Sequence, residues 1–223
     1  MRTIGTTLLA AAALLAPVAT TAAQKPPKPA PAPGQQAVTL SATPNPVTFS
    51  KLVTVKVSVK GAKAGVSVTL QRHLTNSKTF SDAETKTTDA KGDAIFTTRP
   101  RETTYYRAVA RTNPDSTSSE TIVKVAPLVG LRLSDSTPRK GSLVRFSGTV
   151  RPRHDGRRVY LQRKIGGGSF VTVKRVSLAK ATSTYSKYSL RTRVNSTATY
   201  RVRILGHTDH SLGVSRERTA TVG

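Results

Sequence analysis

The chain repeats itself, and that repetition constrains its fold more than any other feature. Gly65-Val66-Ser67-Val68-Thr69-Leu70-Gln71-Arg72 returns as Gly156-Arg157-Arg158-Val159-Tyr160-Leu161-Gln162-Arg163, at an offset of 91. Val53, Val55, Val57 and Val59 return at the same offset as Val144, Phe146, Gly148 and Val150. Thr104-Tyr105-Tyr106-Arg107 returns as Ala198-Thr199-Tyr200-Arg201 at offset 94, and residues 118–125 match 215–222 at offset 97. A growing offset means small insertions in the second copy. The run Gly166-Gly167-Gly168 is the expected place for one. The copies span 38–126 and 127–223, with Pro127 at the junction. So short a link predicts two units stacked end to end.

Each copy reads as strands. Residues 53–59 and 66–70 alternate apolar and polar, which gives one buried and one wet face. Pro44-Asn45-Pro46, Lys60-Gly61, Asp89-Ala90-Lys91-Gly92, Asn113-Pro114-Asp115 and His154-Asp155-Gly156 punctuate the runs as turns. About seven strands per copy, in roughly 100 residues, predict an all-β fold of two tandem immunoglobulin-like β-sandwiches. Tyr106 and Tyr200 open the penultimate strand of their copies, where such sandwiches place a tyrosine corner. The chain has no cysteine and no tryptophan, so the Cys…Trp…Cys signature of true immunoglobulin domains is missing. Apolar packing alone must hold both cores.

The first 23 residues, MRTIGTTLLAAAALLAPVATTAA, have the layout of a secretory signal peptide. Thr21 and Ala23 occupy −3 and −1 of a cleavage after Ala23. The apolar run is shorter than the roughly 20 residues that span a bilayer. No cysteine follows it, which excludes a lipoprotein anchor. The expected mature chain is secreted, extracellular or loosely attached to the cell wall, with no integral membrane span. Residues 24–37, QKPPKPAPAPGQQA, read as a stiff proline-rich spacer.

Residues 131–138, 156–163, 200–203 and 213–215 carry a family resemblance. Their order is a Leu-Ser-x-x-x-Pro start, Gly-x-x-Val-x-Leu-Gln-Arg, Tyr-Arg-Val-Arg and a closing Gly-Val-Ser strand. This pattern resembles the tandem bacterial immunoglobulin-like domains of secreted actinobacterial proteins, over roughly residues 38–223. The resemblance implies an aromatic in the middle strand, a place that Phe80 and Phe170 take here. Modules of this kind are attached to enzymes, adhesins and other proteins, so the resemblance implies a sandwich and no ligand.

Catalytic motifs are absent: no P-loop, GxGxxG, HExxH or GxSxG occurs. Asp82, Glu84, Asp89 and Asp93 are the only local group of acids, and their spacing is that of a strand and a turn, without the ligand series of a calcium loop. His207-Thr208-Asp209-His210 is the one place where two histidines and an acid meet. The first copy has Asn113-Pro114-Asp115 there, so the duplication does not repeat a site, and the segment reads as a polar loop. The sequence therefore assigns no catalytic residue, no cofactor and no metal, and predicts a non-enzyme.

Charge is the remaining signal. The chain has 36 Lys+Arg against 11 Asp+Glu. Residues 38–126 hold 13 bases and 7 acids, whereas 127–223 hold 20 bases, 15 of them Arg, and 4 acids. Arg recognises planar oxyanions through a bidentate fork. If Tyr200, Val202 and Ile204 face inward, Arg201 and Arg203 face outward with Arg158 beside them. Arg145, Arg191 and Arg193 fall on the opposite sheet, and Arg151, Arg153, Arg157 and Arg158 gather at one turn. These nine arginines are the candidate polyanion-binding residues. The partner they imply is an anionic cell-wall polymer or acidic polysaccharide, so the expected function is a secreted binding or adhesion module on the cell envelope. The alternatives are a purely structural extracellular spacer and an extracellular nucleic-acid or polysaccharide binder. Tyr160, Tyr185 and Tyr188 are the aromatics available for stacking on bases. The sequence assigns no oligomeric state.

Overall fold

The computed structural model describes residues 35–223; the expected signal peptide, 1–23, and spacer residues 24–34 lie outside the described residues. The described residues belong to one compact unit, Pro31–Gly223, and among them every regular element is a strand. The first copy contains β1 (Val38–Thr43), β2 (Val47–Thr48), β3 (Val53–Val59), β4 (Ser67–Leu74), β5 (Ser81–Thr87), β6 (Asp93–Thr98), β7 (Thr104–Ala110), β8 (Ser116–Thr117), β9 (Thr121–Val123) and β10 (Val125–Ala126). The second contains β11 (Leu128–Val129), β12 (Arg132–Leu133), β13 (Ser142–Arg151), β14 (Arg158–Lys164), β15 (Val171–Ser177), β16 (Ala179–Lys180), β17 (Ser186–Val194), β18 (Ala198–Ile204), β19 (Gly213–Val214) and β20 (Arg218–Ala220).

Each copy is an immunoglobulin-like sandwich of two sheets. In the first, β1-β3-β6 faces β5-β4-β7, with β8 and β9 both paired to β7. In the second, β13-β17-β16, with β11 and β12 on β13, faces β15-β14-β18, with β19 and β20 on β18. The short β2 and β10 pair in parallel and close the first copy. Alternation explains the layering. Val53, Val55, Val57 and Val59 are all within 1% of full burial, while the residues between them face water or the sheet edge. In β18, Ala198, Tyr200, Val202 and Ile204 do the same. The two cores share no residue: one runs from Val38 to Val125, the other from Val129 to Ala220.

The insertions fall elsewhere than expected. The loops that hold the three consecutive glycines and their counterpart are equally long, residues 165–170 and 75–80. One insertion lies before β17, where eight residues, 178–185, replace the five of 88–92. The other lies between β18 and β19, where eight residues, 205–212, replace the five of 111–115.

The cores also differ in how paired positions share volume. Val55 opposes Phe96 and Val57 opposes Ala94 in the first copy; Phe146 opposes Leu190 and Gly148 opposes Tyr188 in the second. The missing side chain at Gly148 makes room for the Tyr188 ring, whose hydroxyl donates to Gly130 O at 2.5 Å. Tyr188 is thus a core residue, 4% exposed, and not a surface ring for stacking. Burial pushes its phenol well above the ordinary range.

Phe80 and Phe170 are not in a middle strand. Each ends the loop before β5 or β15 and lies on the outside beneath an arginine. The Arg107 guanidinium sits 3.9 Å from the Phe80 centroid, and that of Arg201 3.8 Å from Phe170. Arg107 Nε donates to Gln71 Oε1 at 2.8 Å, as Arg201 Nε does to Gln162 Oε1 at 3.0 Å. The aromatics that fill the cores are Phe96 and Tyr106 in the first and Phe146, Tyr188 and Tyr200 in the second.

Candidate functional site

The basic residues occupy both outer faces of the second sandwich and one tip. On the β13–β17 sheet, odd positions of both strands point away from the core. Arg145 and Arg191 are therefore direct cross-strand partners, and both are exposed. Arg193 follows on the same strand, opposite Leu143, and donates to Gly141 O at 3.0 Å. Two further bases share this face: exposed Arg132 pairs with Ser147, and Lys187 pairs with Thr149. Sequence reasoning passed over both. The two-residue β12 has too little alternation to reveal its face, and a search for guanidinium forks passes over a lysine such as Lys187. Among the described residues, Arg132, Arg145, Arg191 and Arg193 form no ion pair.

The opposite sheet is more occupied. Arg203 lies across from Tyr160, its guanidinium 5.8 Å from that ring centroid. Arg201 is half-buried in its stack on Phe170 and its bond to Gln162. Because Arg107 repeats that arrangement in the far less basic first copy, the Arg201 stack has a structural use. Arg158 is exposed at the start of β14. At the tip, Arg151 lies over the Tyr185 ring at 4.8 Å, Arg153 pairs with Asp155 at 3.5 Å, and Arg157 reaches Leu205 O at 3.4 Å. The nine arginines thus divide among two opposed faces and a tip.

Tyr106 and Tyr200 are buried, at 0% and 1% exposure. The Tyr106 hydroxyl lies 3.3 Å from Thr98 Oγ1, and Arg163 is the charged group beside the Tyr200 hydroxyl.

The same tip holds a cluster that the sequence did not reveal. Three of the chain's four histidines meet there: His154 from the β13–β14 loop, and His207 and His210 from the β18–β19 loop. One ring nitrogen from each lies within 4.8 Å of the others, and His154 Nε2 is 3.1 Å from His207 Nε2. Ring centroids are 4.9–5.3 Å apart. His154 and His210 are each only 6% exposed. Burial lowers all three basicities, Arg157 depresses His154 and His207 further, and His210 is pushed down to about 4. The imidazoles are neutral at physiological pH and have lone pairs to offer.

The inserted β18–β19 loop is clasped by the first sandwich. Thr103 N donates to Asp209 O at 2.7 Å, Thr75 Oγ1 to Asp209 Oδ1 at 3.0 Å, and Ser211 N to Val125 O at 2.8 Å. His210 Nε2 lies 3.0 Å from Arg101 O. The cluster therefore sits where the two sandwiches meet. One available signal was overlooked: the loops after β13 and β18 lie at the same end of such a sandwich, and together they hold all but one of the histidines.

No family model matches the chain, and no curated protein sequence matches it. Among solved structures, the chain is similar to a tetra-tandem repeat in the extending region of a large adhesion protein, at 13% identity, covering 84% of this chain and 49% of that one, with a TM-score of 0.35. It is also similar to red sea bream transglutaminase, at 12% identity, 85% and 31% coverage and a TM-score of 0.43. A third is a Salmonella alpha-2-macroglobulin mutant, at 14% identity, 85% and 16% coverage and a TM-score of 0.36. The chain spans about half or less of the length of each. Among the described residues, no helix is long and apolar enough to cross a membrane.

Proposed function

We propose that this protein is a non-catalytic extracellular module that holds an anionic cell-envelope polymer on the β12–β13–β17 face of its second sandwich. The observation that carries the reading is the opposition of Arg145 and Arg191, both exposed and neither matched by an acid. Like charges directly across a strand pair destabilise it. An oxyanion between the two guanidiniums removes that cost and accepts two forks. Arg132, Lys187 and Arg193 extend the row, which suits a repeating polyanion better than a single small anion. The leader-like residues 1–23 and the resemblance to secreted bacterial modules support an extracellular setting.

The test is retention on isolated anionic wall polymer in rising salt, since exposed ionic contacts are screened as the Debye length shrinks. The native chain should elute at moderate salt, and the Arg145→Glu/Arg191→Glu variant should elute well before it. Equal retention of the two would overturn this face as the contact. Release by detergent alone would overturn ionic attachment altogether.

A further inference from the structure

We propose that His154, His207 and His210 form a binding site for one divalent transition-metal ion of the zinc, copper or nickel class, placed to brace the junction between the two sandwiches. The inference is independent of the polyanion reading and uses none of its residues.

Hydrogen-bonding chemistry decides which nitrogens are available. His154 Nδ1 lies 2.7 Å from Pro152 O. A carbonyl oxygen only accepts, so Nδ1 carries the proton and Nε2 keeps its lone pair. By the same argument His210 donates from Nε2 to Arg101 O, leaving the Nδ1 lone pair free. That Nδ1 is buried and has no hydrogen-bond partner, an arrangement that costs free energy unless something fills it. Metal-bound histidines characteristically donate their other N–H to a carbonyl or carboxylate, which fixes the ring and raises its basicity. Two of the three rings already have that support.

His207 completes the set by a change of tautomer. Its Nδ1 accepts weakly from Asp209 N at 3.4 Å, so its Nε2–H points at the His154 Nε2 lone pair. Asp209 Oδ2 lies 4.0 Å from the same Nδ1. Moving the proton from Nε2 to Nδ1, toward that carboxylate, frees Nε2 as a third donor with no net change in protonation.

The distances suit the ion. Zinc–nitrogen bonds of about 2.0–2.1 Å at tetrahedral angles place ligand nitrogens about 3.3 Å apart. The His154–His207 pair is at 3.1 Å now, and one ring nitrogen from each of the three histidines lies within 4.8 Å of the others. Binding therefore needs a contraction at His210 of loop scale, not a rearrangement of strands. Three neutral imidazoles select zinc, copper or nickel over calcium or magnesium, which require oxygen ligands. The charged groups that face the cluster are Asp209, which favours a cation, and Arg157, which opposes one. His210 is tied through Arg101 O to the first sandwich, while His154 belongs to the second. An ion held by both rings would fasten the β18–β19 loop, and with it the Arg101 O contact to the first sandwich, onto the β13–β14 loop of the second.

The test uses the full chain, stripped with chelator and titrated with Co²⁺, whose visible bands report tetrahedral nitrogen coordination, followed by displacement with Zn²⁺. One ion should bind per chain, and Zn²⁺ should raise the thermal midpoint. His207→Gln and His210→Gln should each weaken binding at least about 100-fold. His73→Gln, at the fourth histidine outside the cluster, should leave it unchanged. His207 is the least buried of the three, so its variant keeps its fold, and the metal-free melting curve verifies this. No visible band with excess Co²⁺ on folded native chain would overturn the proposal. So would binding that survives both His207→Gln and His210→Gln.

Discussion

The two sandwiches share the order and register of their main strands and even the arginine that lies on a loop phenylalanine, and three of their differences bear on function and stability. The second has Gly148 and Tyr188 where the first has Val57 and Ala94. It has an eight-residue histidine loop where the first has five residues. It carries 4 acids where the first carries 7. Duplication thus kept what alternation and pairing require and varied what they leave free: the partition of volume between paired core positions, loop length, and the outward residues.

The largest expected effect breaks the comparison at the core pair. A Cβ at Gly148 would lie 2.0 Å from Gly130 O and 2.7 Å from the Tyr188 hydroxyl oxygen, and backbone cannot yield to it cheaply. Gly148→Ala should cost about 3 kcal/mol or more, read as a lower urea midpoint. Gly148→Val with Tyr188→Ala recreates the first copy's pair and removes one clash, but it leaves Gly130 O in place. It should recover only part of the loss. Full recovery would show that the Gly130 carbonyl is not the constraint.

A middling effect compares the stacked arginines. Arg201→Ala removes the ring contact and leaves Gln162, which is 4% exposed, without its donor. A cost of about 2 kcal/mol is expected. Arg107→Ala does the same beside the half-buried Gln71 and should cost about 1 kcal/mol, because water can replace the donor there. Equal costs in thermal melts would mean that burial of the glutamine does not matter.

The smallest effect concerns the acids. Asp93 accepts from Ser58 Oγ at 2.5 Å and pairs with Lys56 at 2.7 Å, and the Lys56 and Ser58 contacts hold its carboxyl below the ordinary value of 3.8. In the second copy Lys187 occupies the matching register position. A carboxyl whose folded-state value is depressed adds stability above its unfolded value and loses it as pH falls through the folded one. The advantage of native chain over Asp93→Asn should be present at neutral pH and fade below about pH 3.8. An advantage that persists at lower pH would assign it to hydrogen bonding and not to charge.

Much of the fold was legible in the sequence because strand alternation is a local, period-two signal and the duplication displayed it twice. The inward set of β3 and β18 followed directly from Val53 to Val59 and Tyr200 to Ile204. The insertions were misplaced because glycine content suggests a loop without fixing its length; register across the sheets does that. Of the basic candidates, parity located Arg145 and Arg191 on one face, but only the pairing of β13 with β17 made them partners. That Arg201 was already engaged could not be read from charge. The contact with Phe170 joins β18 to the loop before β15, and the bond to Gln162 lies across the β14–β18 register.

The sequence by itself determined two β-sandwiches, a basic second copy and cores without disulfides, since each follows from residue type, spacing and repetition along one chain. The tertiary structure decided the histidine cluster. His154 lies 53 residues before His207. No pattern along the chain joins them, and they meet because sandwich topology delivers the two loops to one end, where the first copy's backbone supplies Arg101 O to His210.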